Sequence, residues 1–265
     1  MGRRAAPPVT GGGEDAPLAG RRVLVTRSAS QSADLVERLR ALGAEVLAVP
    51  LLAIAPAADP QPFRDAMRAI DGYDWLVLTS ANAARAVANT AGATLPKTLR
   101  VASSGPATTA VIRALFPDVP VTAQATSRFG SVGLAQALAL VDLSRARMLL
   151  PVSDRSPAAI GETLRKRGAV VDVVVAYQTT IAADAGPDLR AALDRGIDAV
   201  TFASPSAIAA FVRLRGRPRD IPAVVIGPTT AAAARSAGLQ VAETAEPETT
   251  VGLVAAISRC LRHPA

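Results

Sequence analysis

Four short blocks of this chain occur twice, in the same order. Arg22–Val25 (RVLV) is followed 125 residues later by Arg147–Leu150 (RMLL). The other pairs are Gly43–Val46 with Gly168–Val171 at the same offset, Asp74–Ser80 with Asp198–Ser204 at 124, and Gly105–Thr108 with Gly227–Thr230 at 122. Chance rarely preserves both order and spacing. We therefore interpret the chain as an internal duplication, and we predict two similar domains.

The first block begins a strand–helix–strand unit. Arg22–Thr26 and Val46–Val49 are short apolar runs, which are typical of buried strands. Between them Leu35, Leu39 and other apolar residues recur at helical spacing until a glycine ends the pattern. Two strands joined by a helix pair in parallel. The fold class predicted is therefore α/β, with parallel sheets, and 265 residues are enough for two such domains.

The composition excludes several kinds of active site. The chain has one cysteine, Cys260, and one histidine, His263, so it lacks an internal disulfide, a Cys/His zinc site and a triad with histidine as the base. No acidic cluster suggests a metal site, and no glycine-rich phosphate motif follows a strand. We expect no metal and no cofactor. An enzyme built from this chain would work by binding, orientation and hydrogen bonding.

The distribution of charged and aromatic residues argues against nucleic-acid binding and against a membrane span. The net charge is +7, but the basic residues are scattered and only 3% of residues are aromatic, so we expect no nucleic-acid binding. The longest runs without a charged residue are Ala199–Val212 and Ile221–Ala234, shorter than the ~18 residues of a membrane span. Residues 1–17 are expected to be a disordered leader, since no apolar segment follows Arg3 and Arg4. The cytoplasm is the expected location.

Two kinds of strand-to-helix loop recur. In one, an apolar strand runs into small hydroxyl residues, namely Thr79 and Ser80, or Ser204. In the other, it runs into Gly-Pro-x-Thr, which places Thr108 in one copy and Thr230, preceded by Thr229, in the other. Proline suits the first helical turn, and the Ser or Thr is predicted to cap the helix.

These loops are the best candidates for a ligand site. They follow the carboxyl ends of parallel strands, where open α/β sheets bind ligands, and free helix N-termini favour anions. The alternative for each hydroxyl residue is a plain helix cap with no role in binding.

Three further residues stand out. Tyr177 ends an apolar run at a position where the other copy has Leu52, so it departs from the duplication. Its phenol could donate a proton to a ligand, or it could be an aromatic residue at a sheet edge. Arg27 and Arg155 follow strands and could meet an anion, although both could equally be surface arginines.

The chain resembles the uroporphyrinogen-III synthase family over about Leu18 to Leu261. The motifs that carry the resemblance are Val23–Arg27, Asp74–Ser80, Val175–Gln178, Ile226–Ala233 and Thr249–Ile257. Each motif is short, but their order and spacing together make the match specific.

The resemblance implies a cytoplasmic, cofactor-free enzyme of tetrapyrrole synthesis. Such an enzyme cyclises the linear polycarboxylate hydroxymethylbilane to uroporphyrinogen III, inverting the last pyrrole ring and releasing water. It implies Tyr177 as the residue that assists hydroxyl departure. Carboxylates of the substrate would be bound by Thr79, Ser80, Thr108, Ser204, Thr229 and Thr230, and Arg27 and Arg155 are further candidates. A monomer suits such an enzyme.

The resemblance also implies two flavodoxin-like domains joined by a two-stranded linker, with the site in the cleft between them. Domain one would hold residues 18–52 with 181–262, and domain two residues 57–176. The linker strands would be residues 53–56 and 177–180.

This chain departs from the family pattern at some positions. Ser104 precedes Gly105 where an aliphatic residue is usual, and Ser28 follows Arg27 where proline is frequent. Many bacterial members have Arg-Gly after the strand that corresponds to Met148–Leu150, where this chain has Pro151–Arg155. Either Arg155 replaces that cation or no cation is needed there. The competing hypothesis is a non-catalytic two-domain hinge protein that binds a small anion.

Overall fold

The computed structural model describes residues 16–92, 94–126, 131–156, 159–215 and 221–262, without the side chains of residues 29–31 and 131. The chain forms two compact units: unit 1 holds the chain up to Ala53 and from Ile181 onward, and unit 2 holds Ile54–Thr180. The leader expected at residues 1–17 lies outside the described residues apart from Ala16 and Pro17, and so does His263.

Eleven strands are present in the described residues. They are β1 (Arg22–Val25), β2 (Glu45–Ala48), β3 (Leu52–Pro56), β4 (Trp75–Leu78), β5 (Arg100–Ser103), β6 (Val121–Gln124), β7 (Arg147–Ser153), β8 (Val170–Ile181), β9 (Ala199–Phe202), β10 (Ala223–Val225) and β11 (Val241–Thr244).

Ten α-helices accompany them in the same part of the chain. They are α1 (Ala29–Ala41), α2 (Gln61–Arg68), α3 (Ala81–Ala91), α4 (Pro106–Leu115), α5 (Ser131–Ala137), α6 (Ala159–Lys166), α7 (Ala185–Asp194), α8 (Pro205–Arg215), α9 (Pro228–Ser236) and α10 (Thr250–Arg262). None of the described helices is long and apolar enough to cross a membrane.

Unit 1 is a parallel five-stranded sheet in the order β11-β10-β9-β1-β2. Its three inner strands, β1, β9 and β10, are buried and mainly apolar because both faces of the sheet are covered. Within β1, Leu24 packs on the side of α7, α8 and α9, whereas Val23 and Val25 pack on the side of α1 and α10. The two faces therefore take alternate residues of the same short run.

Unit 2 is a six-stranded sheet in the order β3-β8-β7-β4-β5-β6. Its β4 to β8 are joined by parallel pairs. In β4, Leu76 and Leu78 pack with residues of α2, α3 and α4, while Trp75 and Val77 pack with residues of α5 and α6. The segments 53–56 and 177–180 fall within β3 and β8, which are neighbours in this sheet. That these segments form a linker between folding domains stays a prediction.

The two sheets share one strand order. Five adjacent strands of unit 2, β8-β7-β4-β5-β6, correspond in order to the five strands of unit 1, β2-β1-β9-β10-β11. The repeated blocks of the sequence stand at corresponding places, with β7 matching β1, β4 matching β9 and β5 matching β10. The origin of this correspondence in a duplication stays our interpretation.

Candidate functional site

A tyrosine and a serine predicted separately from the sequence form one pair in unit 2. Tyr177 Oη on β8 lies 2.9 Å from Ser80 Oγ, which directly precedes α3. Tyr177 is 8% exposed and belongs to the buried cluster that also contains Leu78 and Ala83. The phenol is therefore held at the carboxyl end of β4 by a hydrogen bond, while its ring packs with buried apolar side chains.

Ser80 is the N-cap of α3. Its backbone is extended, and its Oγ accepts a hydrogen bond from the Ala83 N–H at 3.1 Å. Accepting that bond leaves the hydroxyl proton of Ser80 available to Tyr177 Oη, and the 2.9 Å separation allows either hydroxyl to be the donor. One serine thus joins the phenol to the N-terminus of a helix.

A bulge in β8 brings Tyr177 to this position. Opposite β7, Val175 pairs with Val152 and Tyr177 with Ser153, so Ala176 is an extra residue in the ladder. In an unbroken strand, successive side chains point to opposite faces of the sheet. Because of the bulge, Ala176 and Tyr177 both pack in the same buried cluster. Alternation along the sequence would have placed Tyr177 on the other face.

A second group of hydroxyls ties the loop after β5 to the loop after β4. Ser104 Oγ donates to the Thr79 carbonyl oxygen at 2.8 Å and lies 3.2 Å from Thr108 Oγ1. Since the single proton of Ser104 is used on Thr79, Thr108 is the donor in the second bond. The Thr108 hydroxyl is thus occupied within the protein, and Thr79 takes part through its carbonyl.

The predicted helix caps are confirmed in one kind of loop and wrong in the other. Ser80 and Ser204 each accept a hydrogen bond from the backbone N–H three residues on. In the Gly-Pro-x-Thr loops the N-cap is the glycine, Gly105 or Gly227, and no side chain caps the helix. Proline takes the first helical position there, so the threonine falls inside the first turn.

The equivalent threonines of the two units differ in their partners. Thr108 and Thr230 are both buried in the first turn of their helices, at 7% and 3% exposure. In unit 1 the residue that corresponds to Ser104 is Ile226, which offers no hydroxyl. The Thr230 hydroxyl consequently has no hydrogen-bond partner among the described residues, while Thr229 beside it is exposed.

The two candidate arginines have different environments. Arg27 follows β1 in unit 1 and is half-buried, and burial lowers the pKa of its guanidinium. It makes no hydrogen bond or ion pair with another described residue. Arg155 in unit 2 is exposed, donates to the Thr179 carbonyl at 3.3 Å and has its Nε 3.7 Å from Asp154. Of these two arginines, Arg27 is therefore the one more open to an external anion.

The helix N-termini at these strand ends are electropositive. Helices α3, α4, α8 and α9 have no acidic residue in the first turn, so the partial positive charge of each is not neutralised from within the helix. At α9 the Glu248 carboxylate, from the loop before α10, packs against Gly227. A methyl group at Gly227 would collide with this carboxylate. Within the described ranges, no three His, Cys, Asp or Glu side chains are grouped as metal ligands.

Ser104 and Glu248 are the site residues that the motif analysis did not select. Ser104 could have been selected from the sequence, because it stands where an aliphatic residue usually precedes Gly105. No local pattern marked Glu248, since its contact with Gly227 joins two separate loops.

The fold and these side chains define a class of protein: two parallel-sheet α/β units whose strand ends carry hydroxyls and helix N-termini suited to an anionic ligand. The chain belongs to the uroporphyrinogen-III synthase family. The family model described as uroporphyrinogen-III synthase HemD matches residues 33–255. The resemblance stated from the sequence is thereby confirmed.

Individual relatives agree with this family. The uroporphyrinogen-III synthase of Synechococcus elongatus is 29% identical over 93% of this chain and 98% of that protein. Two solved structures share the fold. One is a mutant uroporphyrinogen III synthase from the extremely thermophilic bacterium Thermus thermophilus, at 20% identity and a TM-score of 0.57, covering 92% of this chain and 99% of that one. The other is the Helicobacter pylori enzyme, at 14% identity and a TM-score of 0.62, covering 91% and 99%. The α/β class with parallel sheets is confirmed.

Proposed function

We propose that this protein is a uroporphyrinogen-III synthase, a cyclising lyase that converts hydroxymethylbilane to uroporphyrinogen III. The reaction removes a hydroxyl group as water and closes the ring with inversion of the last pyrrole. It needs a proton donor and a site that orients a flexible chain. The observation that carries the proposal, beside family membership, is the hydrogen bond between Tyr177 and Ser80 at the carboxyl end of β4.

Tyr177 is the proposed general acid. When Ser80 donates its proton to Tyr177 Oη, the phenol proton is free to go to the departing hydroxyl of the substrate. The carbon–oxygen bond breaks, its electron pair leaves with the oxygen as water, and a cation delocalised over the pyrrole remains. The phenolate is stabilised by the Ser80 hydroxyl, which is itself bonded to a helix N-terminus. When the new carbon–carbon bond has formed, the phenolate takes back a proton from the ring that closed.

The remaining candidates are proposed to bind carboxylates of the substrate. In unit 1, Ser204 stands at the N-terminus of α8 and Arg27 adds a cation. Thr229 and Thr230 stand at the N-terminus of α9, where a substrate carboxylate would take the place of the Glu248 carboxylate.

In unit 2, Thr79 lies in the loop after β4 and Thr108 in the first turn of α4. Because the Thr108 hydroxyl is bonded to Ser104, the group proposed to meet a carboxylate there is its backbone N–H. We propose a lesser part for Arg155, since it would give up its bond to Thr179 to reach a ligand.

The test is the isomer formed from hydroxymethylbilane. Purified protein without added cofactor is expected to give mainly the type III isomer, measured by chromatography of the oxidised uroporphyrins. Hydroxymethylbilane closes to the type I isomer without an enzyme, so the same incubation without protein is the control. Formation of the type I isomer alone would overturn the proposal in favour of a two-domain protein that binds a small anion. We further propose that the enzyme acts as a cytoplasmic monomer, for which size-exclusion chromatography tests the oligomeric state.

A further inference from the structure

Ser104 is a buried hydroxyl residue of the site to which the proposed function assigns no role. It is 6% exposed and makes two side-chain hydrogen bonds, as donor to the Thr79 carbonyl at 2.8 Å and as acceptor from Thr108 at 3.2 Å. Its backbone N–H also donates to the Leu78 carbonyl at 3.1 Å. These bonds fasten the loop after β5 to the last residue of β4 and to the residue after it.

The loop that Ser104 holds is the one that positions the tyrosine. Thr79, whose carbonyl accepts the Ser104 proton, is covalently joined to Ser80. Ser80 Oγ in turn lies 2.9 Å from Tyr177 Oη. A shift of the Thr79 peptide would therefore move the Ser80 hydroxyl and change the direction in which the phenol proton points.

Unit 1 provides a natural comparison for this arrangement. The backbone bond is present in both units, since Ile226 N–H donates to the Phe202 carbonyl at 3.0 Å in unit 1. The side-chain bond is specific to unit 2, because Ile226 takes the place of Ser104. Unit 1 also has Leu52 at the position that corresponds to Tyr177. The serine and the tyrosine thus occur in the same unit, and the other unit has an aliphatic residue at both positions.

We propose that Ser104 is a positioning residue for the reaction, which fixes the Thr79–Ser80 peptide so that Ser80 can orient the Tyr177 hydroxyl. The inference rests on the proposed function. Ser104 itself touches no substrate in this scheme, so its removal alters the rate of proton transfer and leaves substrate binding intact.

The neighbouring residue supplies a matched control. Ser103, the last residue of β5, is fully buried, and its hydroxyl lies 2.5 Å from Thr109 Oγ1 in α4, so its side-chain hydrogen bond does not involve Thr79. Ser103→Ala and Ser104→Ala each remove one buried hydroxyl from adjacent residues. Ser103→Ala is expected to lower the free energy of unfolding by about 1 kcal/mol and Ser104→Ala by about 1–2 kcal/mol, because a buried hydrogen bond is worth about 1 kcal/mol net and the Ser104 side chain makes two.

The experiment measures formation of the type III isomer by the wild type, the two alanine variants, Tyr177→Phe and the double variant Ser104→Ala/Tyr177→Phe. Ser104→Ala is expected to lower kcat about tenfold with KM changed less than about twofold, whereas Ser103→Ala stays within about twofold of the wild type in both. In the Tyr177→Phe background, Ser104→Ala is expected to have no further effect on kcat, because the hydroxyl through which it acts is gone.

Two results would overturn the inference alone while the wild type still forms type III. One is a kcat for Ser104→Ala equal to that of Ser103→Ala. The other is an equal loss of kcat in the presence and absence of the Tyr177 hydroxyl, which would mean that Ser104 acts on something else. Formation of only the type I isomer by the wild type would overturn both the proposed function and this inference.

Discussion

Ser80 Oγ lies 2.9 Å from Tyr177 Oη while it accepts the N–H of Ala83, so a single side chain links a buried phenol to the N-terminus of α3. In the proposed role of Tyr177 as the acid, the negative charge that develops on its oxygen in the reaction would be met by a hydroxyl and a helix N-terminus. The equivalent serine of unit 1, Ser204, has the same cap, and the sequence position that corresponds to Tyr177 in the repeat is Leu52, which has no hydroxyl.

Replacing Tyr177 by phenylalanine tests its role as the acid. We expect kcat for type III formation to fall about 10²-fold, the usual contribution of a positioned proton donor, with KM changed less than about twofold. The matched control is Tyr73→Phe, because Tyr73 is the second of two tyrosines and bonds to Asp172. Turnover by Tyr177→Phe equal to that of Tyr73→Phe would reduce Tyr177 to a packing role.

The two capping serines separate helix stability from catalysis. Ser80→Ala and Ser204→Ala each remove a cap and are expected to cost about 1 kcal/mol of unfolding free energy, measured by urea titration. Only Ser80→Ala also removes the partner of Tyr177, so it should lower kcat. Ser204→Ala should raise KM, because it changes a helix N-terminus proposed to bind a carboxylate. The same kinetic change in both variants would show that Ser80 is a cap and nothing more.

The sequence was sufficient to predict the parallel sheets because the residue patterns that mark strands and their ends lie within short segments of the chain. Runs such as Trp75–Leu78 and the glycines and prolines that follow strands define a parallel α/β fold without knowledge of the partners. Tyr177 and Ser80 could be selected for the same reason, by their motifs. Their contact could not be predicted, because it depends on the bulge at Ala176, and bulges arise from the pairing of two distant strands.

The misassigned caps have a similar explanation. The pattern Gly-Pro-x-Thr contains both a residue that can cap and one that begins a helix. Proline at the first helical position determines the boundary, so the glycine before it becomes the N-cap and the threonine turns inward. Whether an inward threonine finds a partner depends on another strand, as Ser104 and Ile226 show.

Thr108 and Thr230 should respond differently to the same isosteric change. Thr108→Val removes a hydroxyl that donates to Ser104, and we expect a loss of about 1 kcal/mol of unfolding free energy. Thr230→Val removes a hydroxyl that has no hydrogen-bond partner among the described residues and is not sealed from solvent, so the free energy of unfolding should stay within about 0.5 kcal/mol of the wild type. Urea midpoints of the two variants check this difference. An equal loss in both would show that the Ser104 bond contributes nothing measurable.

The environment of Tyr73 predicts that the free energy of unfolding depends on pH in the alkaline range. Burial, together with the hydrogen bond to Asp172 and the charge of that residue, raises the pKa of Tyr73 from 10.0 to about 12. Because the folded pKa lies above the unfolded one, the protonated phenol stabilises the fold fully below pH 10, and this contribution is lost as the pH rises from 10 through 12.

Tyr177→Phe makes that titration visible, since Tyr73 is then the one tyrosine left. The phenolate absorbance near 295 nm is expected to rise with a midpoint near pH 12 in the folded protein and near 10 in denaturant. Asp172→Asn should move the folded midpoint downward, because it removes the negative charge beside the phenol. A folded midpoint near 10 in the Tyr177→Phe protein would contradict the assigned environment of Tyr73.

Arg27 should be a residue that binds ligand at a cost in stability. Its guanidinium is half-buried without an ion pair to a described residue, and burial lowers its pKa, which means that the fold disfavours the charge. Arg27→Met keeps the length of the side chain and removes the charge, so we expect an unchanged or higher Tm together with a KM raised about tenfold. Arg155→Met, by contrast, loses the bond to the Thr179 carbonyl and should raise KM less than about twofold. A lower Tm with an unchanged KM for Arg27→Met would assign that arginine to the structure of unit 1 and leave the helix N-termini as the carboxylate sites of that unit.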